Sequence, residues 1–312
     1  MNRNYYYILM LSFFLSGFLM GQDYERIDAT IELYPTNFSS AEELSKLISR
    51  DFTSEEEKVR AIYTWIIRNV AYDPDEYKQF NYNFKNYRER NAKEEITRKK
   101  VIQRTLKKGI AVCEGYAMLF ERLCELQSIS NYLVRGDIKS NFNDIGRPFK
   151  KVHMWNVAMI DGQTFLFDAT WGAGKYDGKF IREPSYFYYK TPPEQLIKTH
   201  YPHLQEDTFL TEIFTREDFV AIPLLINENL LLSDIESPSL GVISSSDEDG
   251  MINFRIRNIV PSTISYSFGN EKKAITFSEI DGGIQFSVPI VLGKENLLIY
   301  FDDEPALGYK VK

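Results

Sequence analysis

The apolar pattern of this 312-residue chain changes period once, near Gln127, and that change constrains the fold more than any other feature. Upstream, apolar residues recur at helical spacing. After Ser54, Val59, Ile62, Tyr63, Ile66, Ile67 and Val70 form one stripe, with Trp65 beside it, ending before Asp73-Pro74. Ser54 with Glu57, and Ser39 or Ser40 with Glu42 and Glu43, resemble capping boxes, so Asp23 to Asp73 reads as helical. A second strong helix is expected from Cys113 to Gln127 (CEGYAMLFERLCELQ). Downstream the runs are short. Tyr132–Ile138, Val152–Ile160 and Thr164–Thr170 read as strands, and Asp161-Gly162 is a two-residue hairpin turn signal. Asn141 to Lys150 reads as a loop. Helices followed by a strand meander give an α+β core.

After about Phe214 short runs such as INFRIRNI, TISYSFG and IQFSVPIVL alternate with Gly, Ser, Asp and Asn clusters. That pattern predicts a small all-β sandwich over residues 215–312. The preceding unit spans 22–214. Residues 1–21 read as a signal peptide: Tyr5 to Met20 is nearly all apolar, and Gly21 precedes a plausible cleavage point. The run is short for a membrane span, so an uncleaved anchor is the alternative, and no later run spans a membrane. The expected location is periplasmic or extracellular. A net charge of −7 argues against nucleic-acid binding. The basic stretch Lys85 to Lys108 then reads as a solvated loop and helix, following a polar loop over Tyr77 to Asn91.

The two cysteines, Cys113 and Cys124, lie in one expected helix about 16 Å apart along its axis, too far for a disulfide. An exported chain therefore keeps free thiols. Cys113 falls where loop becomes helix. A helix N-terminus favours the thiolate, and the first backbone N–H groups point outward, toward a developing oxyanion. Cys124 sits mid-helix and reads as core.

A thiol nucleophile needs a base, and the base an orienting group. The chain has three histidines: His153, His200 and His203. With Asp161-Gly162 as a two-residue loop, Ile160 faces Gln163. Asp168 then faces Trp155, and His153 and Asp168 become diagonal neighbours on one face. A one-residue slip would separate them, leaving an exposed strand histidine and an unrelated carboxylate. His200 and His203 lack a third ligand at metal spacing, so no metal and no cofactor is expected.

These residues resemble a known family. GIAVCEGYAMLFERLCELQSI is similar to the nucleophile-helix start of transglutaminase-like domains, VHMWNVAMIDGQTFLFDATWG to their His-x-Trp-Asn hairpin and Asp-x-Thr-Trp ending, and AIYTWIIRNVAYD to their preceding helix. The resemblance is nearest to the kyphoscoliosis-peptidase type, whose downstream segment is similar to FYYKTPPEQLIKTHYPHL and is followed by a β-rich extension. It covers Val59 to Leu210 well. Ile110-Ala111-Val112 departs from a shorter Gly-Val approach to the cysteine.

The resemblance implies a papain-like core and a Cys113–His153–Asp168 triad acting through a thioester acyl-enzyme. Trp155, Asn156 and Trp171 match as pocket or supporting residues, and His200 and His203 match as downstream residues outside the triad. It implies a protein or peptide substrate. Hydrolysis is the first expectation; protein cross-linking differs only in the acceptor, and a non-catalytic scaffold using the C-terminal part is the reading from another class.

Overall fold

The structure is a computed structural model that describes residues 24–79, 87–244 and 250–312. The expected leader over residues 1–21 lies outside them, as does the part of the Tyr77–Asn91 segment from 80 to 86.

Three helices open the described chain: α1 (Tyr24–Glu32), α2 (Ala41–Asp51) and α3 (Glu55–Asn69). Ser40 caps α2 by accepting from the Glu43 N–H, and Ser54 with Glu57 forms a complete capping box on α3. The apolar stripe predicted burial on one face of α3. In fact Trp65 and Ala61 are as fully buried as Ile62 and Ile66. Trp65 Nε1 donates to Pro35 O at 2.9 Å, which satisfies the one polar atom this burial takes from water.

After α3 the chain forms β1 (Ala71–Tyr72), a 3₁₀ segment Pro74–Gln79, α4 (Tyr87–Lys108) and β2 (Ile110–Ala111). The basic stretch is therefore helical from Tyr87 onward, and the start of the expected loop is a tight 3₁₀ turn. β1 and β2 pair in parallel, Tyr72 opposite Ala111, and Asp73 N donates to Ala111 O at 2.9 Å. That ladder is where Ile110-Ala111 goes. It delivers the chain to α5 (Cys113–Leu126), which packs against α3, α4 and the main sheet. A Cβ on Gly115 would lie 2.6 Å from Ala111 Cβ and 2.8 Å from Thr105 Oγ1. The glycine two residues after Cys113 is thus what lets α5 start against α4.

The main sheet contains β3 (Asn131–Ile138), β4 (Val152–Ile160) and β5 (Gln163–Phe167). A side hairpin, β6 (Gly174–Asp177) with β7 (Lys179–Arg182), follows, then β8 (Tyr189–Thr191) and β9 (His200–Pro202). The sheet order is β8-β5-β4-β3-β9, antiparallel throughout. Asp161 and Gly162 both have positive φ, +50° and +78°, the mirror-image geometry a two-residue hairpin loop needs. Register runs from Ile160 opposite Gln163 to Asn156 opposite Phe167.

There the strand ends, short of the expected Thr170. Asp168 turns its carboxylate onto the Thr170 and Trp171 N–H groups at 2.7 and 3.1 Å and caps a short helix, α6 (Ala169–Ala173). The expected loop from Asn141 to Lys150 also contains one 3₁₀ turn, Phe142–Asp144, closed by its own capping box.

The C-terminal part forms two further sheets. One runs Leu224–Leu225, Glu304–Val311, Asn296–Phe301, Ile264–Ser267, Lys273–Ile275; the other Asp234–Ser237, Met251–Arg257, Gly283–Pro289, Ser278–Ile280. Both are antiparallel, apart from Val242–Ile243, which adds in parallel to Glu304–Val311. Alternate residues Ile252, Phe254 and Ile256 meet Ile284, Phe286 and Val288 across one sheet and enter a core separate from the first.

Two lysines, Lys139 buried and Lys198 half-buried, tie this part to the main sheet. Lys139 Nζ donates to Phe219 O and Ile222 O, and Lys198 Nζ to Leu231 O and Ser233 O. Burial pushes the Lys139 ammonium down to about 7, since taking the cation from water disfavours the charged form. Among the described residues no helix is long and apolar enough to cross a membrane.

Candidate active site

Cys113, His153 and Asp168 come together from three elements: the first residue of α5, the second residue of β4 and the cap of α6. All three are buried, Cys113 at 2% exposure, His153 at 4% and Asp168 at 1%. His153 Nε2 lies 2.6 Å from Asp168 Oδ2, and the neighbouring Cys113 also favours the charged imidazole. With Nε2 committed to the carboxylate, Nδ1 is the nitrogen left for the sulfur. Sγ has two further neighbours, Glu114 Oε2 at 3.1 Å and the Tyr77 hydroxyl at 3.8 Å.

Asp168 organises this cluster. Its Oδ1 accepts from the Thr170 and Trp171 N–H groups, and its Oδ2 takes His153 Nε2 and, at 2.9 Å, His200 Nε2. Burial by itself would raise the carboxyl, but the charge and hydrogen bonds of His153 and His200 outweigh it and hold Asp168 well below the usual carboxylate range. Burial likewise opposes the charged form of His153. Its pairing with Asp168, and then with Cys113, wins and raises it to about 10. His200 goes the other way. Burial lowers it and its bond to Asp168 only partly compensates, so it stays neutral. Nε2–H of His200 then donates to Asp168, and Nδ1 accepts from the Thr199 hydroxyl at 2.8 Å.

His200 was expected outside the triad, as a downstream match only. Instead it shares the carboxylate with His153, and its ring is boxed by Trp171 (centroids 4.6 Å apart), Trp155 (5.3 Å) and Tyr188 (6.2 Å). β9 pairs with β3, placing His200 opposite Ile138, which no local sequence pattern announces. His203 goes elsewhere, with Nε2 3.3 Å from Asp137 Oδ2, so the two downstream histidines do not form a pair.

His200 does stand in a cluster of possible ligands, though not with His203. Ligand atoms of His153, Asp168 and His200 lie within 4.8 Å of one another, a group able in kind to hold an ion. An ion there would replace both N–H···O bonds to Asp168.

The three support candidates take distinct places. Asn156 Nδ2 donates to Ala117 O at 3.0 Å and ties β4 to the first turns of α5. Trp155 stacks on His153 (27° between planes), and its ring reaches Gly136, where a Cβ would lie 2.4 Å from Cη2. Trp155 Nε1 is buried without a protein partner, as is Thr170 Oγ1. Trp171 sits against both His153 and His200. Met154 packs with Cys113 and Ala117 on the apolar side of the thiol.

Residues 39–181 match the family model described as a transglutaminase-like domain. The chain is 26% identical to kyphoscoliosis peptidase of Mus musculus over 290 residues and to that of Homo sapiens over 295 residues. Each match takes in 89% of this chain and 40% of the relative, so the chain spans about two fifths of the length of the relatives it matches. A solved structure of a TGase is similar over 61% of this chain and 44% of its own, with 17% identity and a TM-score of 0.31.

Proposed function

From the match of residues 39–181 to a transglutaminase-like domain, we propose that this chain is a thiol enzyme acting on amide bonds of protein or peptide substrates. The observation that carries the reading is the His153–Asp168 pair, its carboxylate fixed by two backbone N–H groups, with the Cys113 thiol beside it at the start of α5. Cys113 is the nucleophile, His153 the base and Asp168 the orienting group, with residues 22–214 as the catalytic unit and 215–312 as an appended β unit.

His153 takes the Cys113 proton, and the sulfur attacks the amide carbonyl. The carbonyl oxygen becomes an oxyanion facing the Cys113 N–H, which has no acceptor within its own helix. His153 then gives the proton to the leaving amine as the C–N bond breaks, leaving a thioester. Asp168 stays ionised throughout and offsets the imidazolium charge. Water attacks the thioester, His153 accepting its proton, and the acid departs as the thiol reforms. A primary amine in place of water would give transfer. We take hydrolysis as the reaction because water needs no binding site of its own. The same reading places the protein outside the cytoplasm, on the apolar leader of residues 5–20.

The test is incubation of the full chain with a protein substrate and a fluorescent primary amine. Cleavage products with little label in protein support hydrolysis, whereas label incorporation replaces it with transfer. Neither product, from protein whose Cys113 is free to alkylation, sinks the enzyme reading and leaves a binding protein.

A further inference from the structure

We propose that Tyr77 is a second oxyanion donor of this site, its hydroxyl acting opposite the Cys113 N–H. The inference rests on Cys113 being the nucleophile and adds a catalytic residue that no sequence motif marks. Tyr77 Oη lies 3.8 Å from Cys113 Sγ, beside the sulfur that a substrate carbonyl must reach. A carbonyl carbon bound to Sγ carries its oxygen into the space between the first turn of α5 and whatever faces it. Among the described residues the polar side chains around Sγ are Glu114 and Tyr77, which hydrogen-bond it, and His153 beside it. His153 is the base, and a Glu114 carboxylate would repel an oxyanion. Tyr77 alone of the three can donate to it.

The mounting of Tyr77 is rigid where it needs to be. The parallel ladder of β1 and β2 fixes Tyr72 opposite Ala111, two residues before Cys113, and Asp73 N bonds Ala111 O. The chain then makes its 3₁₀ turn, and Arg104 of α4 clamps Glu76 through two hydrogen bonds of 2.5 and 2.8 Å. Tyr77 and Cys113 therefore leave the same ladder and are held at a set separation. The Tyr72 hydroxyl lies 3.1 Å from that of Tyr77, so Tyr72 can donate to Tyr77 while Tyr77 donates onward, a relay in which each bond polarises the next. Tyr72 is itself held edge-on by Tyr176, ring centroids 5.9 Å apart. Burial, reinforced by the neighbouring thiol, raises the Tyr77 phenol, so it keeps its proton across the working range. The ring is 44% exposed, which leaves an approach to the sulfur along its edge and makes a Phe at this position tolerable to the fold.

A donor to an oxyanion acts only where an oxyanion forms, and two reactions of the same sulfur separate the cases. Alkylation by iodoacetamide is a direct displacement with no tetrahedral intermediate. Acylation by p-nitrophenyl acetate passes through one and releases p-nitrophenolate. In the full chain, Tyr77→Phe is expected to slow the acylation burst about 10²-fold, the usual effect of deleting one oxyanion donor. Alkylation of Cys113 should stay within about threefold, because its transition state has no oxyanion for the donor to stabilise. Tyr72→Phe should slow acylation about threefold, through the loss of one polarising bond. Acylation unchanged in Tyr77→Phe overturns the assignment, as does a parallel fall in both reactions, which would mark a structural role. Faster alkylation in Tyr77→Phe also overturns it, since Tyr77 would then be a cover. A wild-type chain that is alkylated at Cys113 yet never releases p-nitrophenolate overturns the thiol-enzyme reading itself, and the donor role with it.

Discussion

Two positions of α5 carry the same side chain in nearly the same degree of burial, with Cys113 at 2% exposure and Cys124 at none. Their surroundings differ in kind. Cys124 lies in the apolar core with Phe120 and Leu123, and burial pushes its thiol well above the ordinary range. Cys113 meets an imidazole, a carboxylate and a phenol. Burial therefore does not decide whether a thiol is inert; the polar groups buried with it do. The same contrast holds between the whole site and the C-terminal core, where Phe254 stacks on Phe286 at 4.6 Å. One region is fixed by directional bonds, the other by packing.

The sharpest way to break the comparison is to react both thiols in the native protein. Iodoacetamide at mildly acidic pH should label Cys113 about 10³-fold faster than Cys124, which becomes reachable only on opening of the core. Cys113→Ala should abolish turnover while Cys124→Ala keeps it per folded molecule. Peptide mass spectrometry reads the labelling, and equal rates would erase the distinction.

The next largest effect belongs to Asp168→Asn. The structure gives Asp168 four donors, two of them histidine N–H groups that an amide nitrogen cannot accept. Turnover should fall about 10²-fold or more, with a loss of about 3 kcal/mol of stability, as when one partner of a buried charge pair is removed. Denaturant midpoints measure the second part. The pH profile follows from the same pair. His153, raised in the fold, contributes stability that is complete below its ordinary 6.5 and drains as the pH climbs through about 10. Asp168, lowered, contributes above its ordinary 3.8 and loses that share only as the pH falls below it. Wild-type Tm should therefore decline between about pH 7 and 10, and Asp168→Asn should flatten that decline.

The smallest effect separates His153 from His200. His200→Gln keeps a donor for Asp168 and should cost about 1 kcal/mol, the range of a single buried hydrogen bond, with turnover down only a few-fold. A loss as large as that of His153→Ala, read as turnover per folded molecule, would make the two histidines equivalent.

Much was legible along the chain because its causes are local. The cap at Ser40, the capping box at Ser54, the helix beginning at Cys113 and the Asp161-Gly162 turn each depend on residues within a few positions. The turn set the hairpin register and so brought the end of β5 beside the start of β4. What the pattern overran was the strand end, because Asp168 served as a helix cap in place of a strand residue.

His200 and Tyr77 could not be found that way. His200 reaches Asp168 only because β9 adds beside β3 at the sheet edge, 32 residues away in the chain. Tyr77 reaches Cys113 only because a two-residue parallel ladder closes over α4. The sequence by itself determined the helices, the hairpin and the residue types at the site, since capping, turn geometry and apolar period are short-range. Tertiary structure alone decided which histidine shares the carboxylate, which stays neutral and what stands beside the sulfur. Those outcomes depend on desolvation and on partners brought together across the fold, and neither is written in spacing.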